Sequence, residues 1–200
     1  MLFASPPWDA VTYWSLDLET GGLDPGKDPI IAIGMVPVRG GRIRLGESFR
    51  TLVRPGGAGR IDPASVRAHQ LVEREVRDAP LLDEVLPIVE RQLRGNVLLV
   101  HHKGIDVPFL HEGCRRTGVR WPGPKVVDTV DLLLRAARRA RFTSPEQHRD
   151  RPLLNLSAAR EAHGLPPYQA HDALTDAVAT AELFLVLRYE LGARTLRDLR

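Results

Sequence analysis

The sequence predicts a three-layer mixed α/β domain, and three observations carry that expectation. Between Val11 and Val53, three runs rich in β-branched and aromatic residues are separated by glycine-bearing turns. From Pro80 onward, stretches with helical apolar spacing alternate with short, continuously apolar runs. Hydrophobic residues make up 43% and charged residues 26% of the 200, a balance that supports a core and excludes a disordered chain. A meander followed by alternating helix and strand gives a sheet covered on both faces. No linker-like stretch or internal repeat interrupts it, so one domain is expected over 1–200, with its core from about 11 to 190.

Residues 11–19 read as the first strand, which ends in acidic residues; Gly21, Gly22, Asp24, Pro25 and Gly26 form the loop after it. Residues 30–38 are the second strand, and Gly40-Gly41 is a two-residue hairpin turn of the kind that tolerates positive φ. Ile43, Leu45, Phe49, Thr51 and Val53 then alternate along one face of a third strand. Pro37 has no N–H to donate, so it is expected near the end of its strand or at an unpaired position. Gly56, Gly57 and Gly59 close the meander after Arg54-Pro55. Short helices are expected over 63–68 and 72–76. A longer one is expected over 80–94, where Leu82, Val85, Leu86, Val89 and Leu93 recur between a starting Pro80 and a Gly95 stop. Residues 97–100 fit a strand buried on both faces. Further helices are expected over 106–116, 129–139, 153–163 and 173–191, with a short strand at Val126-Val127.

Composition narrows the function classes. The single cysteine, Cys114, forms no internal disulfide and excludes a cysteine-rich metal site, which fits a reducing compartment. The first basic residue is Lys27, so no positively charged segment precedes an apolar one and no secretory signal is expected. Apolar runs such as 97–100 and 183–187 are too short to span a bilayer. The expectation is a cytoplasmic protein without membrane contact. A net charge of +3 permits a polyanionic partner without requiring one. Arg135, Arg138, Arg139, Arg141, Arg149 and Arg151 face only Glu146 and Asp150 in their stretch, which is either a solvated segment or a guide for phosphates.

Chemistry concentrates in a few carboxylates. Asp17 and Glu19 alternate along the first strand and so point to one face. They are either an exposed polar edge or two like charges that raise each other's pKa until a cation joins them. A hard divalent cation with oxygen ligands resolves that repulsion. Asp106 follows the buried strand at 97–100. Asp172 is placed to cap the last helix, which leaves Asp176 one turn inside and His171 on the entering loop.

These residues lie in motifs whose order resembles the DEDD exonuclease superfamily, the DnaQ-like group that includes the proofreading (epsilon) subunit of bacterial DNA polymerase III and ribonuclease T. The motifs are Asp17-Leu18-Glu19-Thr20-Gly21-Gly22-Leu23, then 101–110 with Asp106, Phe109 and Leu110, then His171-Asp172-Ala173-Leu174-Thr175-Asp176-Ala177. Ile61-Asp62-Pro63 with His69, and Val127-Asp128-Thr129, belong to the same pattern. A histidine five residues before the last aspartate, rather than a tyrosine four before it, matches the DEDDh branch. The second motif departs from the family pattern, with His102 where Asn is usual and Ile105 where Phe is common. That Asn is not a metal ligand, so catalysis is expected to survive the change while end-nucleotide binding is rebuilt.

The resemblance implies an RNase H-like fold, with a five-stranded mixed sheet of three antiparallel strands then two parallel ones. It implies hydrolysis of nucleic acid from the 3′ end, releasing nucleoside 5′-monophosphates. Two divalent metal ions are implied, Mg²⁺ or alternatively Mn²⁺, held by Asp17, Glu19, Asp106 and Asp176, with His171 taking the proton of the attacking water. Thr20, Gly21, Gly22, Leu23 and Phe109 are the implied contacts to the terminal nucleotide. His101 and His102 are neighbours that point apart on a strand, so a shared zinc is not expected.

Single-stranded or frayed DNA is the expected substrate. RNA by the same mechanism is the alternative, and it turns on tolerance of the 2′-OH. A catalytically silent module that binds nucleic acid or docks to a polymerase is the rival of another class; all five motif residues are present, which favours the enzyme. Association with a DNA polymerase stays open, although the absence of an extended tail after Leu196-Arg197-Asp198-Leu199-Arg200 leads to the expectation of a stand-alone enzyme.

Overall fold

Alternation along the first strand decides the layering. In the computed structural model, which describes residues 5–56, 73–143 and 151–200, β1 (Tyr13–Thr20) sends Trp14, Leu16 and Leu18 to one face and Tyr13, Ser15, Asp17 and Glu19 to the other. β1 pairs antiparallel with β2 (Ile30–Arg39). β2 pairs antiparallel with β3 (Arg42–Ile43) and β4 (Phe49–Leu52). On its other side β1 runs parallel to β5 (Val97–Val100), and β5 parallel to β6 (Lys125–Asp128). The sheet order is β3-β2-β1-β5-β6, with β4 paired to β2. Three antiparallel ranks and two parallel ones are therefore present.

The expected third strand is broken. A 3₁₀ turn over Leu45–Glu47 splits it into β3 and β4, so among the described residues the sheet has six segments rather than five, and Leu45 is 61% exposed instead of lying on the strand's inner face. Pro37 sits beside that break. Its carbonyl accepts the Arg44 N–H at 2.9 Å, and since N–H and C=O of a strand residue point the same way, the missing donor falls where no strand needs it.

α1 (Glu73–Val76) precedes α2 (Leu82–Leu93) and α3 (Lys103–Thr117), and the latter two cover one face of the sheet, with Trp14, Leu16, Leu18, Val85, Leu86 and Leu110 in the shared core. The other carries α4 (Thr129–Thr143), α5 (Leu156–Ala162) and α6 (Ala173–Glu190), packed around Tyr13, Leu99, Leu132 and Phe184. α2 starts at Leu82 rather than Pro80, because the Glu84 carboxylate accepts the Leu81 N–H at 2.7 Å and fixes the helix start there. α3 starts at Lys103, three residues before the expected 106, which places Asp106 in its first turn. Buried Leu196 and Leu199 carry the core past residue 190, and a bridge between Pro7 and Thr195 carries it before residue 11. The helix expected over 63–68, part of that over 72–76, the 61–63 motif, Gly57, Gly59, His69, Glu146, Arg149 and Asp150 lie outside the described residues. Among the described residues no helix is long and apolar enough to cross a membrane.

Candidate active site

The site lies at the carboxyl ends of the three parallel strands β1, β5 and β6, where an open α/β sheet has its crevice. A cleft of about 450 Å³ there is lined by Asp17, Glu19, His101, Tyr168, His171 and Asp176, among others. Asp17 and Glu19 project from the face of β1 that meets α6, as Ser15 on the same face shows by donating to the Ala177 carbonyl at 2.7 Å. Gly34, the β2 partner of Asp17, makes the meeting possible. A Cβ there would lie 2.2 Å from the backbone of Ala173 and Leu174, so only glycine lets the first turn of α6 rest on the sheet. Asp172 caps that turn by accepting the Thr175 N–H at 3.0 Å and is itself held by Arg50 at 2.6 Å.

The result is convergence of charge. One carboxylate oxygen each from Asp17, Glu19 and Asp176 lies within 4.8 Å of the others. Asp106 is 3% exposed and stands outside that trio, yet it is the leading charge acting on Asp17. Burial pushes the Asp17 carboxyl well above the usual range, and the charges of Asp106, Asp176 and Glu19 push it further. Glu19 is pushed up to about 7, first by burial and then by Asp176 and Asp172. Burial also raises Asp106, opposed by the backbone N–H groups of Leu18 and of Asp106 itself. Such a cluster stays protonated or acquires a cation. All its donors are carboxylate oxygens, the set that suits a hard dication.

Asp176 is engaged through both of its oxygens. Its Oδ1 accepts the Tyr168 hydroxyl at 2.5 Å and its Oδ2 the His171 N–H at 2.7 Å. His171 is exposed and holds φ of +70°, the left-handed region that costs a non-glycine residue about 1 kcal/mol or more. Its N–H bond to Asp176 and the clamping of Asp172 hold it there.

Sequence reasoning missed several residues that shape the site. Tyr168 is one, and Gly34 another. Asp128, which the sequence placed in a motif without a role, is buried at the end of β6 and accepts the N–H groups of His102 at 3.0 Å, Lys103 at 2.9 Å and Val130 at 3.0 Å. His102 is left-handed (φ +74°), so Asp128 secures the turn that launches α3 and places Asp106, whatever side chain stands at 102. Burial pushes the His101 imidazole below its usual range, which favours the neutral ring. Its Nε2 therefore donates to the Leu154 carbonyl (2.8 Å) and its Nδ1 accepts the Thr129 hydroxyl (2.7 Å), which leaves no ring nitrogen for zinc.

Among the expected nucleotide contacts, Thr20 turns its hydroxyl back to the Gly22 carbonyl at 2.7 Å, and Leu23 is 83% exposed beyond the loop. Gly21 donates to the Pro29 carbonyl. The close approach that glycine allows at 22 is taken by the Asp28 carboxylate, 2.1 Å from where a Cβ would stand. Phe109 needs correction as a base contact: it is 2% exposed and packed in the core. Asp106, Phe109, Leu110, Gly113 and Cys114 form the inward stripe of α3, so Phe109 faces the same way as Asp106 but lies a turn deeper.

Comparison with known proteins agrees with this geometry. A family model described as "Exonuclease" matches residues 15–184. A DNA polymerase III subunit epsilon-like protein of Rhodobacter capsulatus is 38% identical over 96% of this chain and 26% of its own length. The 3′-5′ exonuclease DinG of Staphylococcus aureus is 26% identical over 90% of this chain and 18% of its own. The chain thus spans about a quarter or less of these relatives, and the expectation of a stand-alone enzyme is not carried forward. The structure of an exonuclease I–single-stranded DNA complex from Escherichia coli, in a zinc-bound form, superposes with a TM-score of 0.75 at 17% identity, covering 92% of this chain and 41% of that one. It shows the same RNase H-like fold. With the matched family model spanning most of the chain and the carboxylates gathered as its motifs require, the protein belongs to the DEDDh, DnaQ-like exonuclease family.

Proposed function

We propose that this chain hydrolyses phosphodiester bonds from the 3′ end of single-stranded or frayed DNA, releasing nucleoside 5′-monophosphates. The observation that carries the reading is the convergence of Asp17, Glu19 and Asp176 within 4.8 Å, with Asp106 buried behind them and His171 at the rim. Asp17, Glu19, Asp106 and Asp176 hold two divalent ions, Mg²⁺ or Mn²⁺. When bound, such a pair stabilises the attacking and leaving oxygens of an in-line displacement at phosphorus.

The chain's own residues do the rest. His171 takes the proton from the attacking water, and the side chain stands exposed at the cleft mouth, where the proton can leave to solvent. Thr20, at the end of β1, and Leu23, exposed just beyond it, are the contacts proposed for a terminal nucleotide. The relatives' names support 3′→5′ polarity and leave room for service beside a polymerase.

The test is digestion of 5′-labelled single-stranded DNA, duplex DNA and RNA of equal length, with Mg²⁺ or Mn²⁺. A ladder shortened from the 3′ end, fastest on single-stranded DNA, is expected. Faster cleavage of RNA would transfer the same mechanism to RNA trimming, and no cleavage of any substrate would overturn the reading.

A further inference from the structure

Two carboxylates of the cluster are held from outside the helix that bears them: Asp106 by the backbone N–H of Leu18 on β1, and Asp176 by a phenol. We infer that Tyr168 is a positioning residue: its hydroxyl fixes the Asp176 carboxylate for metal binding and, through the other carboxylate oxygen, fixes the backbone that carries His171. This rests on the metal-site and general-base assignments proposed above.

The geometry is a chain of contacts. Arg160, 2% exposed, donates from Nη1 to the Ala179 carbonyl (2.9 Å) and the Glu182 carboxylate (2.7 Å) of α6, and from Nη2 to the Pro166 carbonyl (3.3 Å). Its guanidinium lies 4.8 Å from the centroid of the Tyr168 ring. α5 and α6 thereby fix the ring, and the ring fixes the hydroxyl on Asp176 Oδ1 at 2.5 Å. A carboxylate oxygen has two lone pairs, so Oδ1 can accept the phenol and still face a cation. Oδ2 holds the His171 N–H at 2.7 Å. One carboxylate thus joins the metal site to the left-handed residue at 171, and the phenol sets that carboxylate's orientation. Partners that orient a metal-ligating carboxylate commonly change metal affinity or activity by about 10–100-fold when removed.

The test compares Tyr168→Phe with Tyr168→Leu in the full chain. Tyr168→Phe keeps the ring beneath Arg160 and removes only the hydroxyl; Tyr168→Leu removes both. Mn²⁺ binding in the absence of nucleic acid is measured by calorimetry, beside circular dichroism, kcat and KM. Tyr168→Phe is expected to keep the wild-type spectrum, to bind Mn²⁺ about 10–100-fold more weakly, and to lose kcat with little change in KM at saturating metal. A Tyr168→Phe protein that binds Mn²⁺ as the wild type does, with loss only in Tyr168→Leu, would make the residue a packing element and overturn the inference. So would a wild type that binds no Mn²⁺. If Mn²⁺ binding falls as expected but the wild type cleaves no polynucleotide, the exonuclease reading fails and the role of Tyr168 stands.

Discussion

The two ends of α6 carry opposite charge and handle it differently. At its N-terminal end, Asp17, Glu19, Asp106 and Asp176 crowd together, and burial and mutual repulsion raise three of them. At its C-terminal end, residues 135–141 and 188–200 hold eight arginines against Glu190 and Asp198, an excess of six in a chain of net +3. Three of those cations have work within the fold. Arg139 donates to the Leu191 carbonyl at 2.7 Å, Arg135 to the carbonyls of Asp198 and Arg200, and Arg188 lies 4.2 Å from the Trp8 ring centroid. Arginines there cap carbonyls and complement the negative end of a helix dipole, so the charge is structural. Carboxylates that repel one another across a cleft serve something not contained in the chain. Charge density alone does not mark a site; charge left uncompensated does.

The largest effect should come from removing one charge of the crowded end. Asp17→Asn keeps shape, removes a proposed metal ligand and should abolish cleavage. It should also raise the melting temperature of the chelator-treated protein, because a repelling carboxylate is gone. Loss of activity together with unfolding would break the contrast, since the charge would then be structural after all.

His171→Ala should lower kcat by about 10²–10⁴ while leaving Mn²⁺ binding near that of the wild type, as no ligand is lost. Weakened Mn²⁺ binding in this variant would instead make His171 a ligand.

Gly34→Ala tests whether the site depends on the approach of α6 to the sheet. The added methyl would meet backbone at 2.2 Å, so the first turn of α6 must shift and carry Asp176 from Asp17. A stability loss of about 1–3 kcal/mol is expected for such overpacking, with weaker Mn²⁺ binding. A stable variant with normal Mn²⁺ binding would show that the helix can move without opening the cluster.

The raised carboxylates also fix a sign for stability against pH. Glu19 goes from an ordinary 4.5 to about 7 in the fold, and Asp17 and Asp106 are raised as well. The folded, chelated protein therefore binds more protons than the unfolded chain in that window. Its stability is fully present below the unfolded value and falls as pH rises from about 4.5 through 7. Mg²⁺ should flatten the fall. A chelated protein that gains stability over that range would contradict the crowding.

How much of this was legible in the sequence follows from the range of each signal. Asp17 and Glu19 were legible because strand alternation is a local rule, and Asp172 with Asp176 because a cap and its first turn are adjacent. Gly34 and Asp128 were not readable as shaping the site, because each acts on a segment far along the chain: Gly34 on Ala173, Asp128 on His102. Tyr168 stands eight residues before Asp176, a spacing that no local rule reads as a contact. The alternation through Leu45 misled because apolar residues at every second place also survive a 3₁₀ turn. The arginine stretch carried no direction in the sequence: α4 runs away from the cleft, which puts Arg139 beside the far end of α6.

That last point gives the smallest predicted effect. Asp176 and Leu191 are fifteen residues apart on α6, about 22 Å at 1.5 Å per residue, so Arg139 works far from the cleft. If Arg138, Arg139 and Arg141 guided the strand, replacing all three with Gln would lower the slope of log affinity against log salt by about 2, at about 0.7 per phosphate contact on a single strand. The structure predicts an unchanged slope and unchanged KM. Stability should instead fall by about 0.3–1 kcal/mol, because a cation at a helix C-terminus is lost. Melting curves beside a salt titration of single-strand binding separate the two outcomes. A flattened slope with unaltered melting would return the arginines to the nucleic acid, and would mean that the strand leaves the cleft along α4.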